Sequence, residues 1–464
     1  MKQFKIVLIT VFAPLFASQA QTNGINDLDP VVEHKIDSIL ELMTVKEKVG
    51  QMVQYNGSFD VTGAPSDIDS KTKLEKLKNG EVGSMLNVLT AEATREAQQV
   101  VMENSRLKIP LLFGYDVIHG YKTMFPVPLG ESASWDLEAM ELSASIAAKE
   151  TAAAGVHWTF APMIDVSRDA RWGRIMEGAG EDPYLNAVIG VARIKGFQGS
   201  DLTDINTIAA CAKHFAGYGF AEAGRDYNTV NVGTSELQNA ILMPFKAAAE
   251  AGVATFMNSF NEIDGVPATA STYLQRDILK GAWDYKGFMV SDWGSIAELI
   301  PHGYAEDKMQ AGELAVIAGS DMDMEGRVYE EALEPLVNDN TIDEALLDDA
   351  VRRILRVKFQ LGLFEDPYKY SDTQREQEVL LAKAHLEAAR DIARKSIVLL
   401  KNENSVLPLS KALESIAVIG PLADDKDSPL GNWRAQADKN SAVSVLEGIQ
   451  NAVGNEVQIN YAKG

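Results

Sequence analysis

Seven short apolar segments alternate with longer stretches of helical spacing between about residue 38 and residue 362. The apolar segments begin at residues 82, 109, 158, 208, 252, 287 and 318. Between them, as from Asp136 to Ala154 and from Ser235 to Ala251, apolar residues recur three and four positions apart, which indicates helices. Strands that alternate with helices over roughly 250 residues favour a closed parallel sheet with helices outside. We therefore predict an α/β fold whose main part is a TIM-like (β/α)8 barrel.

Polar side chains gather at the C-terminal ends of these apolar segments. They are Asp116, His119, Asp165, Lys213, His214, Asn258, Asp292 and Asp321. In a barrel the C-terminal strand ends share one face, so we expect one site there. A doubly wound open sheet also places its site at strand ends, but no GxGxxG turn follows the first strands, and it is the weaker alternative.

Asp292 lies in "GFMVSDWGSI", residues 287–296, directly after a buried-strand pattern. One interpretation is an N-cap, because an aspartate can accept hydrogen bonds from the free N–H groups of a first helical turn. The other is a carboxylate held at a strand end as the nucleophile for a sugar carbon. The two interpretations are compatible in part, and the residues alone leave both open.

Further charged residues flank the same face. Lys213 and His214 are adjacent, so in an extended strand their side chains point to opposite faces unless a bulge intervenes. The segment "RDARWGRIMEGAGEDPYL" from residue 168 adds Arg171, Arg174 and Glu177. Any one of these residues could simply be solvated. Together they supply the donors and acceptors that recognition of several hydroxyl groups requires.

Charge and motif content exclude several function classes. With 43 Lys and Arg against 66 Asp and Glu, the formal net charge of -23 disfavours a nucleic-acid partner. The six histidines are scattered without HxH or HExxH spacing, and "DMDMEG" from residue 321 matches only the start of a calcium loop. We expect no metal and no cofactor. Neither a Walker loop nor a Gly-x-Ser-x-Gly elbow is present.

The first residues indicate export. Two lysines, an apolar run and a small-x-small site make residues 1–20 a predicted signal peptide, and no later apolar segment reaches the roughly 20 residues that a membrane span needs. Cys211 is the single cysteine, so no intrachain disulfide is possible. We expect an exported protein, in the periplasm or the medium, that does not span a membrane.

The remaining chain divides into three predicted parts: a barrel over residues 21–364, a linker over 365–390, and an incomplete α/β sandwich domain over 391–464. A helix is expected from about Ala382 to Lys395. Buried strands are expected in "SIVLLKNENSVLPL" and "SIAVIGPLADD". Because no later strands complete the second sheet, we expect this domain to be shortened.

Seven motifs occur in a fixed order: "GYDVIHG", "RWGRIMEGAGEDPYL", "AKHFAGYG", "GRDYNTV", "NSFNEIDGVPA", "GFMVSDWGS" and "AGSDMDM". In this order, and with "SIVLLKNENSVLPL" after them, they resemble glycoside hydrolase family three over essentially the whole mature chain. The branch that looks most similar is that of the bacterial periplasmic β-glucosidases, which share the segment from "AGYG" to "GRDYNTV".

The resemblance implies an exo-acting retaining β-glucosidase in which Asp292 is the nucleophile that forms a covalent glycosyl intermediate. The implied sugar-binding residues are Asp116, Arg174, Lys213, His214 and Trp293. The implied substrate is a β-glucoside oligosaccharide or an aryl glucoside, and the oligomeric state is left open. The family's acid/base is a glutamate of the second domain, which we expect to be absent from this chain.

Two departures bear on these implications. Phe260 stands where many plant and fungal members carry a tyrosine, and the loop "GYGFAEAGRDYNTV" has no histidine of the kind that the β-N-acetylglucosaminidase branch uses. The alternatives are a sugar-binding protein with impaired catalysis, a β-xylosidase of the same family, and an unrelated lysine-dependent aldolase that would use Lys213.

Overall fold

The computed structural model describes residues 24–57 and 69–464, so the predicted signal peptide lies outside the described residues. Its strands are β1 (Val53–Asn56), β2 (Ser84–Leu86), β3 (Leu112–Tyr115), β4 (Trp158–Thr159), β5 (Cys211–Phe215), β6 (Thr255–Asn258), β7 (Glu262–Ile263), β8 (Val266–Pro267), β9 (Phe288–Val290), β10 (Asp323–Met324), β11 (Ser415–Ile419) and β12 (Gln458–Ala462). All strand pairs are parallel except the short β7–β8 hairpin.

Eight of these strands form a ring. One sheet runs in the order β10-β1-β2-β3-β4 and another in the order β5-β6-β9. Isolated parallel bridges join the two sheets at both edges, among them Trp158–Ala209 at one edge and Val290–Met322 at the other. The order β1-β2-β3-β4-β5-β6-β9-β10 therefore returns to its start, and the predicted α/β fold with a parallel barrel is confirmed.

Helices fill the connections. They are α1 (Pro30–Leu42), α2 (Val45–Gln51), α3 (Ser70–Lys78), α4 (Ala91–Asn104), α5 (Pro128–Ser132), α6 (Leu137–Ala153), α7 (Pro183–Gln198), α8 (Thr234–Glu236), α9 (Leu242–Glu250), α10 (Lys308–Ala318), α11 (Tyr329–Asn338), α12 (Ala345–Gln360), α13 (Thr373–Val379), α14 (Lys383–Lys395) and α15 (Val445–Val453). Segments Leu237–Ile241 and Tyr273–Ala282 are π-helical. Among the described helices, none is long and apolar enough to cross a membrane.

The sequence explains where individual helices begin. Helix α6 starts after Asp136, whose carboxylate accepts a hydrogen bond from the backbone N–H of Ala139 at 3.0 Å, as an N-cap does. Its observed bounds agree with the predicted helix. The second predicted helix, from Ser235, is continuous in the structure but passes through the π-helical turns of Leu237–Ile241 before α9.

One predicted strand begins later than expected, and one strand was not predicted. The apolar segment at residue 318 predicted a strand, but Gly319, with φ 107°, ends α10 and the strand begins only at Asp323. Left-handed backbone of this kind favours glycine and stops a helix. Strand β1 was missed because its sequence, "VQYN", alternates polar and apolar residues although all four residues are buried.

The barrel interior is packed with aromatic side chains. Trp158 of β4 contacts Phe160 and Phe288 edge to face, with ring centroids 4.8 Å and 5.2 Å away. Its indole N–H donates to the Thr255 hydroxyl at 2.9 Å, which satisfies the one polar atom of the ring. Trp158 thus links β4 to β6 and β9 across the barrel interior.

The segment predicted as a linker, 365–390, contains all of α13 and the start of α14, so it is largely helical where the sequence indicated irregular structure. It is fixed to the barrel by Glu150, a fully buried carboxylate of α6. Glu150 accepts hydrogen bonds from the backbone N–H of Leu381 at 3.0 Å and lies 2.9 Å from Nδ1 of His385. The predicted helix from about Ala382 to Lys395 is confirmed as α14.

The C-terminal residues form a small βαβ unit in which β11 and β12 pair in parallel and α15 connects them. The predicted strand in "SIAVIG" is confirmed as β11. The one predicted in "SIVLL" is wrong, because no described strand pairs with it, and Ile397 and Leu400 are 76% and 92% exposed. The division of the chain into domains at residues 364 and 390 stays a prediction.

Candidate active site

Residues in or after four strands of the ring bring polar groups to its C-terminal face. Asp116 follows β3, Asp165 follows β4, His214 lies in β5 and Asp292 follows β9. All four residues are at least nine-tenths buried. Residues between 49 and 176 positions apart in the chain therefore share one enclosed polar site, as predicted from the strand ends.

Strand β5 brings both Lys213 and His214 to this site. Its pairing with β6 shifts register between Ala212 and Phe215, which is the irregularity that lets adjacent side chains serve one face. Lys213 Nζ lies 3.0 Å from Asp116 Oδ1. His214 Nδ1 lies 2.8 Å from Oδ2 of Asp165, and the backbone N–H of His214 donates to the same oxygen at 2.9 Å.

Asp292 presents one free oxygen to the site. Its Oδ1 accepts a hydrogen bond from the backbone N–H of Trp293 at 2.7 Å. Its Oδ2 is enclosed, has no hydrogen-bond partner among the described residues, and lies 3.5 Å from Nε2 of His214. The N-cap interpretation fails in its usual form, because the carboxylate bonds the next residue and not the second or third N–H of a helix.

Arg174 enters from the long loop after β4. It makes a two-point ion pair with Glu177, with nitrogen–oxygen distances of 2.6 Å and 2.9 Å, and its guanidinium lies 5.4 Å from the ring centre of Tyr218. Arg171, three residues earlier, instead pairs with Asp169 on the surface. The structure thus places Arg174 at the site and Arg171 on the surface, a distinction that the sequence alone did not make.

The surroundings of Asp292 bring its pKa close to neutral pH. Burial raises the pKa of Asp292 to about 6, against the lowering effect of the positive charges on Arg174 and Lys213. Burial also raises the pKa of Asp165 to about 8 and lowers that of His214 well below its ordinary value. Near neutral pH the imidazole is therefore uncharged, and Asp292 is the carboxylate that carries negative charge beside it.

The sequence did not single out Trp433, which belongs to the C-terminal unit. Its ring lies 5.6 Å from Nζ of Lys213 and 5.9 Å from the guanidinium carbon of Arg174. The carbonyl of the preceding Asn432 lies 2.6 Å from Nε2 of His119. A cavity of about 660 Å³ opens beside this loop and is lined by Trp433 and Met176 among others. A tryptophan two residues after a glycine in "GNWRAQ" was the available signal.

Three of the residues predicted at strand ends bind groups other than Asp292. His119 bonds the backbone carbonyl of Phe125, Asn258 Oδ1 accepts from Ser320, and Asp321 pairs with Lys280. Each stabilises a turn or a strand end instead.

An aromatic wall flanks the site. Phe260, which stands where many plant and fungal family members carry a tyrosine, packs with Trp172 and Tyr218 in one buried cluster, and Tyr227 lies over Phe260 with centroids 4.3 Å apart. Trp293, predicted to contact sugar, is half-buried and packs against the main core. Within residues 24–57 and 69–464, no cluster of three or more potential ligands could hold a metal ion.

Two family profiles match this chain. The profile described as "Glycosyl hydrolase family 3 N terminal domain" matches residues 44–357, and that described as "Glycosyl hydrolase family 3 C-terminal domain" matches residues 397–463. The chain belongs to glycosyl hydrolase family 3. The first profile covers the whole ring of strands, and the second covers the βαβ unit that carries Trp433.

Known relatives of this family 3 chain are β-glucosidases and β-xylosidases. "Periplasmic beta-glucosidase" of Salmonella typhimurium is 42% identical over 92% of this chain and 55% of its own length. "Beta-xylosidase" of Formosa agariphila is 34% identical over 88% of this chain and 60% of its own. A solved mutant β-glucosidase from Listeria innocua, in complex with laminaribiose, superposes with a TM-score of 0.86 at 37% identity, over 94% of this chain and 60% of that one. The chain thus spans a little over half the length of these relatives.

Proposed function

We propose that this family 3 chain carries the sugar-cleaving site of an exo-acting, retaining β-glucosidase that acts on terminal non-reducing β-D-glucosyl residues. The observation that carries the proposal is the free Oδ2 of Asp292, which is enclosed and lies beside an uncharged His214. A buried carboxylate without a hydrogen-bond partner is costly, so a group that will bond to it is expected to occupy the site.

In this mechanism Asp292 attacks the anomeric carbon and forms a covalent glycosyl ester, which water later hydrolyses with net retention. Lys213 pairs with Asp116, and Arg174 pairs with Glu177. When a sugar binds, its hydroxyl groups replace part of the contacts within these two pairs. Such contacts accelerate the reaction to the extent that they strengthen as the sugar ring flattens in the transition state.

The leaving oxygen needs a proton donor unless the leaving group is already acidic. We therefore propose aryl glucosides with acidic phenols as the substrates that depend least on a donor, and β-linked glucosyl oligosaccharides as the natural class. The relatedness to "Beta-xylosidase" of Formosa agariphila supports a second candidate, cleavage of β-xylosides at the same site.

We also propose that the protein is exported. The predicted signal sequence of residues 1–20 supports this, and the relative from Salmonella typhimurium is described as periplasmic. Fractionation of cells that produce the full chain, with an N-terminal mass of the processed protein, tests both points. A cytoplasmic, unprocessed chain would refute export.

The function is tested by incubation with an activated 2-deoxy-2-fluoro glucoside, followed by intact and peptide mass measurement. The expected result is a single glycosyl adduct on the peptide that contains Asp292. Asp292→Ala, with an unchanged melting temperature, should give no adduct. A parallel xyloside reagent compares the two candidate sugars. A folded wild-type chain that forms no adduct with either reagent would refute the proposal.

A further inference from the structure

A second carboxyl group lies on the same turn as Asp292. After β9 the chain makes a tight turn in which Ser295 N–H donates to the Asp292 carbonyl and Glu298 N–H donates to the Gly294 carbonyl, both at 3.0 Å. The turn continues as a 3₁₀ segment, Ala297–Leu299. Two successive backbone hydrogen bonds thus fix the position of Glu298 relative to the proposed nucleophile.

The carboxyl of Glu298 has an unused hydrogen-bonding atom. The residue is half-buried, and its Oε2 is enclosed without a hydrogen-bond partner among the described residues. The proposed chemistry does not use this group. An enclosed carboxyl oxygen without a partner costs stability, so its retention in a site calls for a ligand that satisfies it.

Glu298 follows β9, on a different part of the ring from the proposed hydroxyl-binding groups. Of the charged groups in the described residues, Asp292 is the one whose charge acts on Glu298, whereas Arg174 and Lys213 both act on Asp292. The proposed hydroxyl-binding groups come from β3, β4 and β5, and β6 separates them from β9 in the ring. Glu298 therefore belongs to the β9 side of the ring, and β6 separates it from the strands that carry the proposed hydroxyl-binding groups.

Aromatic surface accompanies it there. Tyr227 is 42% exposed, its ring lies over Phe260, and the charges of both Glu298 and Asp292 act on its hydroxyl. Trp293 is half-buried on the same turn as Glu298. An open aromatic face beside a single hydrogen-bonding carboxyl suits a sugar ring, which has apolar C–H faces and hydroxyl edges.

We propose that Glu298 is a specificity-determining residue that binds a hydroxyl group of the sugar on the leaving side of the cleaved bond. The inference rests on the proposed function, because it needs Asp292 to mark the point of cleavage. It predicts that the chain distinguishes a β-linked disaccharide from an aryl glucoside through this carboxyl, while the terminal glucose is held by the other groups.

The protonation state of Glu298 suits this role. Burial, together with the smaller effect of the Asp292 charge in the same direction, raises the pKa of Glu298 to about 7. Below about pH 7 the carboxyl is protonated and can both donate to and accept from a hydroxyl group. Glutamine preserves these two capacities at every pH, which makes Glu298→Gln the conservative variant.

The test measures binding by calorimetry at pH 6 in the full chain, with Asp292→Ala present throughout to prevent turnover. Glucose and laminaribiose are titrated into this background alone and with Glu298→Ala, Glu298→Gln or Glu306→Ala added. Glu306 is an exposed glutamate eight residues further along and is the matched control. Thermal melting of each variant checks that it is folded.

Glu298→Ala is expected to weaken laminaribiose binding by roughly tenfold, the effect of one hydrogen bond in an enclosed site, and to leave glucose within about twofold. Glu298→Gln and Glu306→Ala should retain laminaribiose within about threefold. Equal weakening of both sugars, or an unchanged affinity for laminaribiose, would overturn the assignment. The glycosyl adduct on Asp292 tests the proposed function separately. If the adduct forms but Glu298→Ala binds laminaribiose as tightly as its background, the role of Glu298 is refuted and the proposed function is not.

Discussion

His214 lies between two carboxyl groups, with Nδ1 2.8 Å from Oδ2 of Asp165 and Nε2 3.5 Å from Oδ2 of Asp292. The backbone N–H of the same histidine also donates to Asp165. Asp165 therefore fixes the imidazole through two contacts and aims its second nitrogen at the proposed nucleophile. Because the ring beside Asp292 is fixed and uncharged, it forms no strong ion pair with the carboxylate, which stays available to attack the anomeric carbon of the proposed substrate.

Activity should fall on the acid side as Asp292 is protonated. Because burial raises its pKa to about 6 and only the carboxylate is nucleophilic, kcat/KM for an aryl glucoside should be half-maximal near pH 6 and decrease below it. Arg174→Gln removes a charge that lowers this pKa, so its acid limb should move to higher pH. Initial rates from pH 4 to 8 measure the acid limb of the wild type and of Arg174→Gln. An acid limb that moves to lower pH in Arg174→Gln contradicts the assignment of this limb to Asp292.

Lys213 and Asp116 should be energetically coupled. Both side chains are buried, so Lys213→Met leaves Asp116 without its cation and should lower the free energy of unfolding by about 3–5 kcal/mol. The double variant Asp116→Asn, Lys213→Met removes both charges and should recover most of that loss. Urea unfolding of the single and double variants completes the cycle. Losses that simply add would show that the pair does not interact.

Trp433 should contribute to the site although it belongs to the C-terminal unit. Its ring lies beside the charges of Lys213 and Arg174, and each such contact stabilises by about 0.5–2 kcal/mol. Trp433→Ala should therefore reduce kcat/KM for an aryl glucoside by roughly tenfold. Trp135→Ala is the matched control, because Trp135 is 77% exposed. Equal rates in the two variants would argue against a role for Trp433.

Lys358 should make stability depend on pH. Burial lowers its pKa to about 7, and its Nζ donates to the uncharged oxygens of Gln51 and Gly83, its hydrogen-bond partners among the described residues. Between about pH 7 and 10 the unfolded chain holds a proton that the folded chain has lost, so the wild type should gain stability with rising pH relative to Lys358→Met. The gain is at most about 1.4 kcal/mol per pH unit.

The measurement is the difference in free energy of unfolding between wild type and Lys358→Met at pH 7, 8 and 9. Lys411→Met, at an exposed position, is the control and should show no such trend. A difference that stays constant across this range would mean that Lys358 keeps an ordinary pKa in the folded chain.

Local sequence patterns were sufficient for the barrel because each strand and helix carries its own periodicity. Helix α6 and its cap at Asp136 follow from apolar spacing and one capping residue. The carboxylates at strand ends follow from the rule that parallel strands end on one face. The same reasoning missed β1, whose polar residues are buried by neighbours far away in the chain, and it predicted a strand at Ile397 for which no partner is described.

The sequence by itself determined the alternation of strands and helices, and with it the face on which Asp116, Lys213 and Asp292 end their strands. Only the tertiary structure decided that β5 shifts register so that His214 also reaches the site, and that Trp433 and Glu298 lie beside it. The physical reason is that periodicity records burial along one segment, whereas these contacts depend on closure of the ring, which brings together residues that share no local pattern.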